Sequence, residues 1–183
     1  MTKRTAQKTG AFLMDVKELR RRARVHMKRG TVTDGYEADR KTVLALLNTS
    51  LATELLCVLW YRRHYFMATG IHAQAVAAEF LEHATEEQKH ADRIAHRITQ
   101  LGGWPDFNPE GLATRSHSEY VEGTDLVDMI REDLVAERVA IESYGEIIRY
   151  LGENDPTTRR MLEEILAVEE EHAEDLQALI QKA

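Results

Sequence analysis

The feature that most constrains this chain is a repeated spacing of glutamate and histidine. The unit Glu-x-x-His occurs at Glu87–His90 and again at Glu169–His172, and each unit follows a lone glutamate in an apolar stretch. These lone residues are Glu54 and Glu137, so the unit starts 33 residues later in the first half and 32 in the second. One Glu-x-x-His is expected by chance in a chain this rich in glutamate. The matched offsets indicate that each half of the chain carries one half of the same site.

The sequence around these residues predicts long helices. Apolar residues recur with the 3.6-residue period of a helix over most of the chain, and no strand-like alternation of useful length is present. A first long helix should start at a capping box formed by Asp34 and Glu37 and end near Gly70. A second should cover residues 73–101, where Gly102 stops it.

The segment after the second helix is long and irregular. Residues 102–123 contain two prolines and are too long for a tight turn between antiparallel neighbours. Thr124 should cap a third helix, and Asp155 followed by Pro156 should open a fourth. With helices lettered A to D, we predict an all-α four-helix bundle with one long B–C crossover.

A basic arm precedes the predicted bundle. Residues 1–33 form this arm, which should contain a short extra helix, and residues 34–183 form the bundle. Residues 1–30 carry a net charge of +8, whereas the remainder carries −15. Such an arm can hold a polyanion such as DNA by counterion release, or it can lie on an acidic neighbouring subunit.

Composition points to a soluble, cytoplasmic protein with no membrane partner. There is no run of eighteen apolar residues, and the N-terminus lacks the sustained apolar stretch of an export signal. Cys57 is the only cysteine, so we expect no intrachain disulfide, and we expect Cys57 to serve in packing.

The predicted helices all point an acidic residue inward. Four buried carboxylates would be destabilising unless cations neutralised them or their pKa values rose sharply. Two divalent ions balance four glutamates, and neutral histidines are suitable ligands for iron or zinc. A glutamate from two helices and Glu-x-x-His from the other two is the donor set of ferritin-like di-metal proteins. The expected ligands are Glu54, Glu87, His90, Glu137, Glu169 and His172.

Four segments of the chain resemble bacterioferritin, and the match covers roughly residues 42–180. The segments that carry it are residues 51–55, 86–93, 134–137 and 164–172. The resemblance implies two iron ions per subunit, although manganese or zinc would also fit. It also implies that Glu87 and Glu169 bridge the two ions.

The same resemblance implies the terminal ligands. Glu54 with His90 would bind one ion, and Glu137 with His172 the other. Tyr61, seven residues after Glu54, corresponds to a tyrosine that the family uses near its ferroxidase centre as an electron donor.

Three departures from bacterioferritin refine this expectation. Gln88 stands where the family has its haem-ligand methionine, so we expect no haem. The chain ends eleven residues after His172, which leaves no room for a short fifth helix, so a homo-oligomeric dodecamer is expected rather than a 24-subunit shell. The basic arm is similar to the DNA-contacting tails of some Dps proteins.

The implied activity is that of a ferroxidase and iron-storage protein. It would oxidise Fe(II) with O2 or H2O2, store Fe(III) in the shell and protect against oxidative stress. One alternative is a di-metal oxidase or peroxidase, similar to manganese catalase, that stores nothing. Another is a DNA-binding protection protein of the Dps type.

Five further histidines lack partners at matched offsets. We expect them to be surface or capping residues, with iron transit a secondary possibility for His83. They are His64, His72, His83, His96 and His117.

Overall fold

The computed structural model describes residues 13–71 and 73–182, and within these ranges the regular secondary structure is entirely helical. A short helix α1 (Val16–Arg22) and a 3-10 turn (Met27–Arg29) precede α2 (Arg40–Met67) and α3 (Ala73–Gln100). The one-turn α4 (Leu112–Arg115) lies in the crossover. The last two helices are α5 (Leu126–Leu151) and α6 (Pro156–Lys182).

The long helices pack as two pairs. The loops between α2 and α3 and between α5 and α6 are short, which makes the members of each pair antiparallel neighbours. Further contacts join α2 to α5 and α3 to α6, and these close the four-helix bundle. The predicted fold class, including the short N-terminal helix and the single long crossover, is confirmed.

Two helix starts differ from the predicted caps. The first long helix begins at Arg40 behind Asp39, whose carboxylate accepts from Lys41 N–H, and not at the Asp34–Glu37 box. The third begins behind Asp125, one residue after Thr124. Thr124 N–H instead donates to Asp128 at 2.9 Å. In both cases a carboxylate closer to the apolar stripe satisfies the free N–H groups of the first turn.

The predicted Asp155 cap is present and has a second role. Asp155 accepts from Thr158 N–H at 2.9 Å and also pairs with the Arg97 guanidinium of α3 at 2.9 Å. Tyr36 donates a third hydrogen bond to it at 2.9 Å. Burial would raise the pKa of Asp155, but the Thr158 hydrogen bonds and the Arg97 charge outweigh this and lower it.

The crossover is anchored on polar residues of α2. Asn48 accepts from Asp106 N–H at 2.8 Å, and Thr53 accepts from His117 N–H at 3.0 Å. Arg63 donates to the carbonyl of Glu122 at 2.9 Å. These bonds fix the long segment along the bundle.

The apolar core consists of two clusters of buried residues. The first lies near the connection between α5 and α6 and includes Leu47, Ile94 and Leu151. The second lies toward the opposite end and includes Trp60, Phe80 and Ile130. On every long helix, the glutamates and histidines of the repeated motif fall in sequence between members of the two clusters. Their polar layer is therefore enclosed by apolar side chains on both sides.

Within residues 13–71 and 73–182, one helix, α2, is long and apolar enough to cross a membrane by length and composition. It packs against α3 and α5 and buries Glu54 and His64. Because Glu54 and His64 contact partners on α5, the apolar character of α2 is that of a core helix.

Replacing Asp155 with alanine is expected to lower the free energy of unfolding by about 3–5 kcal/mol, because it leaves Arg97 buried without its carboxylate and removes the cap of α6. Asp39→Ala is the matched control, since Asp39 caps α2 in solvent, and it should cost about 1 kcal/mol. Urea unfolding of both variants at one protein concentration measures the difference. Equal losses would contradict a structural role for the buried pair.

Candidate metal centre

The structure brings all six predicted ligands together in the middle of the bundle. All of them are buried, with at most 4% of any residue exposed. Their donor atoms form two groups, each within 4.8 Å, and the groups share Glu87 and Glu169. The first group is Glu54, Glu87, His90 and Glu169, and the second is Glu87, Glu137, Glu169 and His172.

The two halves of the centre are related by a crossed pair of tyrosines. The Tyr61 hydroxyl on α2 donates to Glu137 on α5, and the Tyr144 hydroxyl on α5 donates to Glu54 on α2. Each lone glutamate is thus oriented by the tyrosine of the other half. This exchange follows from the repeat, since both tyrosines stand seven residues after a lone glutamate.

The histidines face the carboxylates through their Nδ1 atoms. His90 Nδ1 lies 2.9 Å from Glu169 and 3.5 Å from Glu54. His172 Nδ1 lies 3.2 Å from Glu87 and 3.6 Å from Glu137.

Crowding of charge perturbs the whole centre. Burial and then repulsion from Glu169 raise the pKa of Glu137 to about 7, and burial with repulsion from Glu169 and Glu54 raises the pKa of Glu87 well above its usual range. Burial alone would lower the pKa of His90, but its carboxylate contacts raise it to about 9. A bound divalent cation would supply the positive charge that protonated histidines otherwise provide.

Several buried polar atoms at the centre lack a hydrogen-bond partner among the described residues. Buried donors and acceptors are normally paired, so a group of orphaned atoms aimed at one point needs an explanation. Carboxylate oxygens and imidazole nitrogens are the ligands that iron, manganese and zinc share. The donor set therefore fits two such ions. The orphaned atoms are Glu54 Oε2, Glu87 Oε1, His90 Nδ1, both carboxylate oxygens of Glu169, and His172 Nδ1.

Glu86 is a functional residue that the sequence reasoning missed. Its Oε2 lies 2.8 Å from His172 Nε2, so it orients the ring whose other nitrogen faces the centre. A carboxylate behind a ligating histidine fixes the tautomer and increases the basicity of the ligand. Glu86 directly precedes the predicted ligand Glu87 in the sequence. The matching residue of the second half is Val168, so the internal repeat did not single out Glu86.

The expectation that His64 and His83 are surface or capping residues is wrong. His64 is fully buried, where Nδ1 lies 2.9 Å from both oxygens of Asp133 and Nε2 accepts from Trp60. His83 is 1% exposed and stacks on His172, with 3.9 Å between ring centroids. Burial and then the nearby His172 lower the pKa of His83 to about 4.

The remaining predicted residues fall outside the centre or at its edge. Cys57 is buried in the apolar cluster beyond Glu54, as expected for packing, and burial raises the pKa of its thiol. Gln88 is exposed and donates to Asp92. His96 and His117 are exposed, as predicted, and His72 lies outside the described residues.

Comparison with known proteins agrees with this architecture. A family model described as a ferritin-like domain matches residues 44–183. The chain belongs to the ferritin-like family. It is 29% identical over 140 residues to the bacterioferritin of Desulfovibrio desulfuricans, covering 75% of this chain and 74% of that one. It is 30% identical over 138 residues to the bacterioferritin of Brucella melitensis, covering 74% and 80%.

Solved structures of ferritin-like proteins superpose on the bundle. The dodecameric thioferritin of Bacteroides fragilis, a bacterioferritin-related protein, gives a TM-score of 0.77 at 34% identity, covering 80% of this chain and 88% of that one. Dps from Thermosynechococcus elongatus gives 0.74 at 19% identity, covering 76% and 90%. At this identity, the similarity to the Dps protein shows a shared fold alone.

Replacing Glu87 with glutamine is expected to stabilise the metal-free protein near pH 7, because folding then no longer requires protonation of a carboxylate whose pKa is raised by burial and by neighbouring glutamates. Each kcal/mol gained should raise Tm by about 2–4 °C. The variant should also show a smaller rise in Tm with Co(II) than the unaltered protein. Thermal unfolding with and without Co(II) measures both effects.

Glu171→Gln is the control, since Glu171 is an exposed neighbour of His172 on α6. It should change neither value. A destabilised Glu87→Gln whose rise in Tm with Co(II) equals that of the unaltered protein would argue that the carboxylates are held by internal pairing alone.

Proposed function

We propose that this protein is a ferroxidase that oxidises Fe(II) at an intrasubunit di-iron centre and stores the Fe(III) in a protein shell. The observation that carries the proposal is the pair of donor groups sharing Glu87 and Glu169. Membership of the ferritin-like family and similarity to bacterioferritins support iron as the substrate.

The geometry suggests a division of roles. Glu54 and His90 would hold one Fe(II), and Glu137 and His172 the other. Glu87 and Glu169, which belong to both donor groups, would bridge the pair. The same ligands would accept Mn(II) or Zn(II), so the choice of iron depends on metal supply.

The chemistry requires two electrons from the two Fe(II) ions. Together with two protons, these electrons reduce either one H2O2 to two waters or one O2 to one H2O2. Carboxylate ligands favour this change because hard oxygen donors stabilise Fe(III) relative to Fe(II). Removing Fe(II) and peroxide together would protect the cell against oxidative stress.

Tyr61 is proposed as an accessory electron donor. Its hydroxyl donates to Glu137, so the ring lies next to one proposed iron position. Burial and the charge of Glu137 raise the pKa of Tyr61 well above its usual range, which keeps the phenol protonated. Tyr144 occupies the equivalent position beside Glu54.

Storage requires an enclosed volume that one bundle does not provide. We infer a cytoplasmic homo-oligomeric shell, with twelve subunits as the expected number. The similarity to the dodecameric thioferritin of Bacteroides fragilis supports this number. The net charge of −15 on residues 31–183 would attract Fe(II) to such a shell.

Stepwise addition of Fe(II) in air to metal-free protein should leave far more than about two irons per chain after gel filtration, because oxidised iron collects in the shell. Glu87→Ala should oxidise Fe(II) more slowly, by about tenfold or more, since it removes a proposed bridging ligand. Glu171→Ala, which alters an exposed residue, is the control. Saturation near two irons would favour a di-metal oxidase or peroxidase that stores nothing.

DNA binding is a second candidate function, carried by the N-terminal arm. In the described part of the arm, α1 has no buried residue and exposes Arg20 and Arg21, and Arg24 is exposed just after the helix. Arg21 is paired with Glu18 at 2.7 Å, and the Arg24 guanidinium donates to the Arg20 carbonyl at 2.9 Å. Exposed basic side chains on a helix can contact phosphates or an acidic neighbouring subunit.

Removal of residues 1–30 is expected to abolish DNA retardation on a gel while leaving Fe(II) oxidation intact, because the arm carries the positive charge and the bundle carries the metal ligands. Retardation of the intact protein should weaken steeply with salt. If the truncated protein retards DNA equally, the arm is not the contact. If removal instead dissociates the oligomer, the arm lies on a neighbouring subunit.

A further inference from the structure

A third group of potential metal ligands lies beside the centre. Glu79 and His83 on α3 and Asp175 on α6 each present a ligand atom within 4.8 Å of the other two. His83 Nε2 lies 3.4 Å from Glu79 Oε1. The group runs from solvent inward, since Asp175 is exposed, Glu79 is partly buried and His83 is buried.

His83 is the link between this group and the centre. It also forms a buried candidate group with Glu137 and His172. Its Nδ1 is buried and makes no hydrogen bond to any described residue. An imidazole that is 1% exposed, with an unpartnered nitrogen, is unusual unless a ligand completes it.

The internal repeat shows that the group is not a by-product of the centre. In the other half of the repeat, 82 residues later, Met161 stands in the place of Glu79 and Ile165 in the place of His83. Arg93, 82 residues earlier, stands in the place of Asp175. The equivalent face on the His90 side is therefore apolar and basic, with Arg93 paired to Glu164 at 2.5 Å. Among the residues that the structure describes, a group of candidate ligands that reaches solvent lies on the His172 side alone.

We propose that Glu79, His83 and Asp175 form a third divalent-cation site, which takes Fe(II) from solvent and passes it to the His172 side of the centre. The transfer step rests on the proposed function, whereas the binding step does not. Two carboxylates and one imidazole suit a hard or borderline divalent ion. Partial burial and repulsion from Asp175 and Glu82 raise the pKa of Glu79, which is consistent with a concentrated negative charge at this point.

Binding is tested by equilibrium dialysis of the metal-free, full-length protein against Co(II), with the bound metal counted per chain. Glu79→Gln/Asp175→Asn removes the outer ligands with little change of shape. Asp92→Asn/Glu170→Gln is the matched control, because it removes the same charge from exposed positions on the same two helices. Glu87→Gln/Glu169→Gln removes the bridging ligands of the centre. Circular dichroism verifies that each variant is folded.

The proposal predicts one fewer Co(II) per chain in the outer variant, no loss in the control, and retention of the outer ion in the centre variant. An outer variant that binds as much Co(II) as the unaltered protein would overturn the third site. If the di-metal centre does not bind metal, the result is different, because the centre variant then binds as much Co(II) per chain as the unaltered protein.

Transfer is tested by stopped-flow oxidation at limiting Fe(II). The outer variant should be slower by about tenfold, because a cleft of negative charge concentrates the cation at its mouth. The control variant should match the unaltered protein. An unchanged rate in the outer variant would overturn the transfer step.

Discussion

Four glutamates buried at one level of a helix bundle are the constraint on which the rest of the structure depends. Their mutual repulsion and loss of hydration destabilise the folded chain unless positive charge lies between them. Two histidines with raised pKa values meet part of this demand within the protein itself. When metal ions bind, they would replace this charge, and the oxygens and nitrogens at the centre that make no hydrogen bond are the atoms available to them. Metal affinity is thus achieved at some expense of metal-free stability.

The surroundings hold this charge cluster in place. Apolar clusters on both sides exclude water, and crossed tyrosines orient the two lone glutamates. The Asp155 and Arg97 pair joins α3 to α6 at one end of the bundle. Because ligands come from four helices, the relative rotation of those helices decides whether two ions fit. The apolar layers and these polar bonds fix that rotation.

The sequence predicted what depends on periodicity along one helix. The 3.6-residue period and the matched offsets put the six ligands on inward faces, and the burial of Glu54 and Glu169 agrees. Features that depend on contacts between helices were missed. His83 has no counterpart in the second half, and the bond of His64 to Asp133 joins residues that are 69 positions apart. Helix starts shifted because several nearby carboxylates could serve as caps.

The central claim is that two ions occupy adjacent positions inside one subunit. Anomalous diffraction at the iron edge, from crystals soaked with Fe(II) without oxygen, tests it most directly. Two peaks about 3.5–4 Å apart, one beside Glu54 and His90 and the other beside Glu137 and His172, are predicted. A single peak at the centre, or iron found only on the surface of the subunit, would contradict the account.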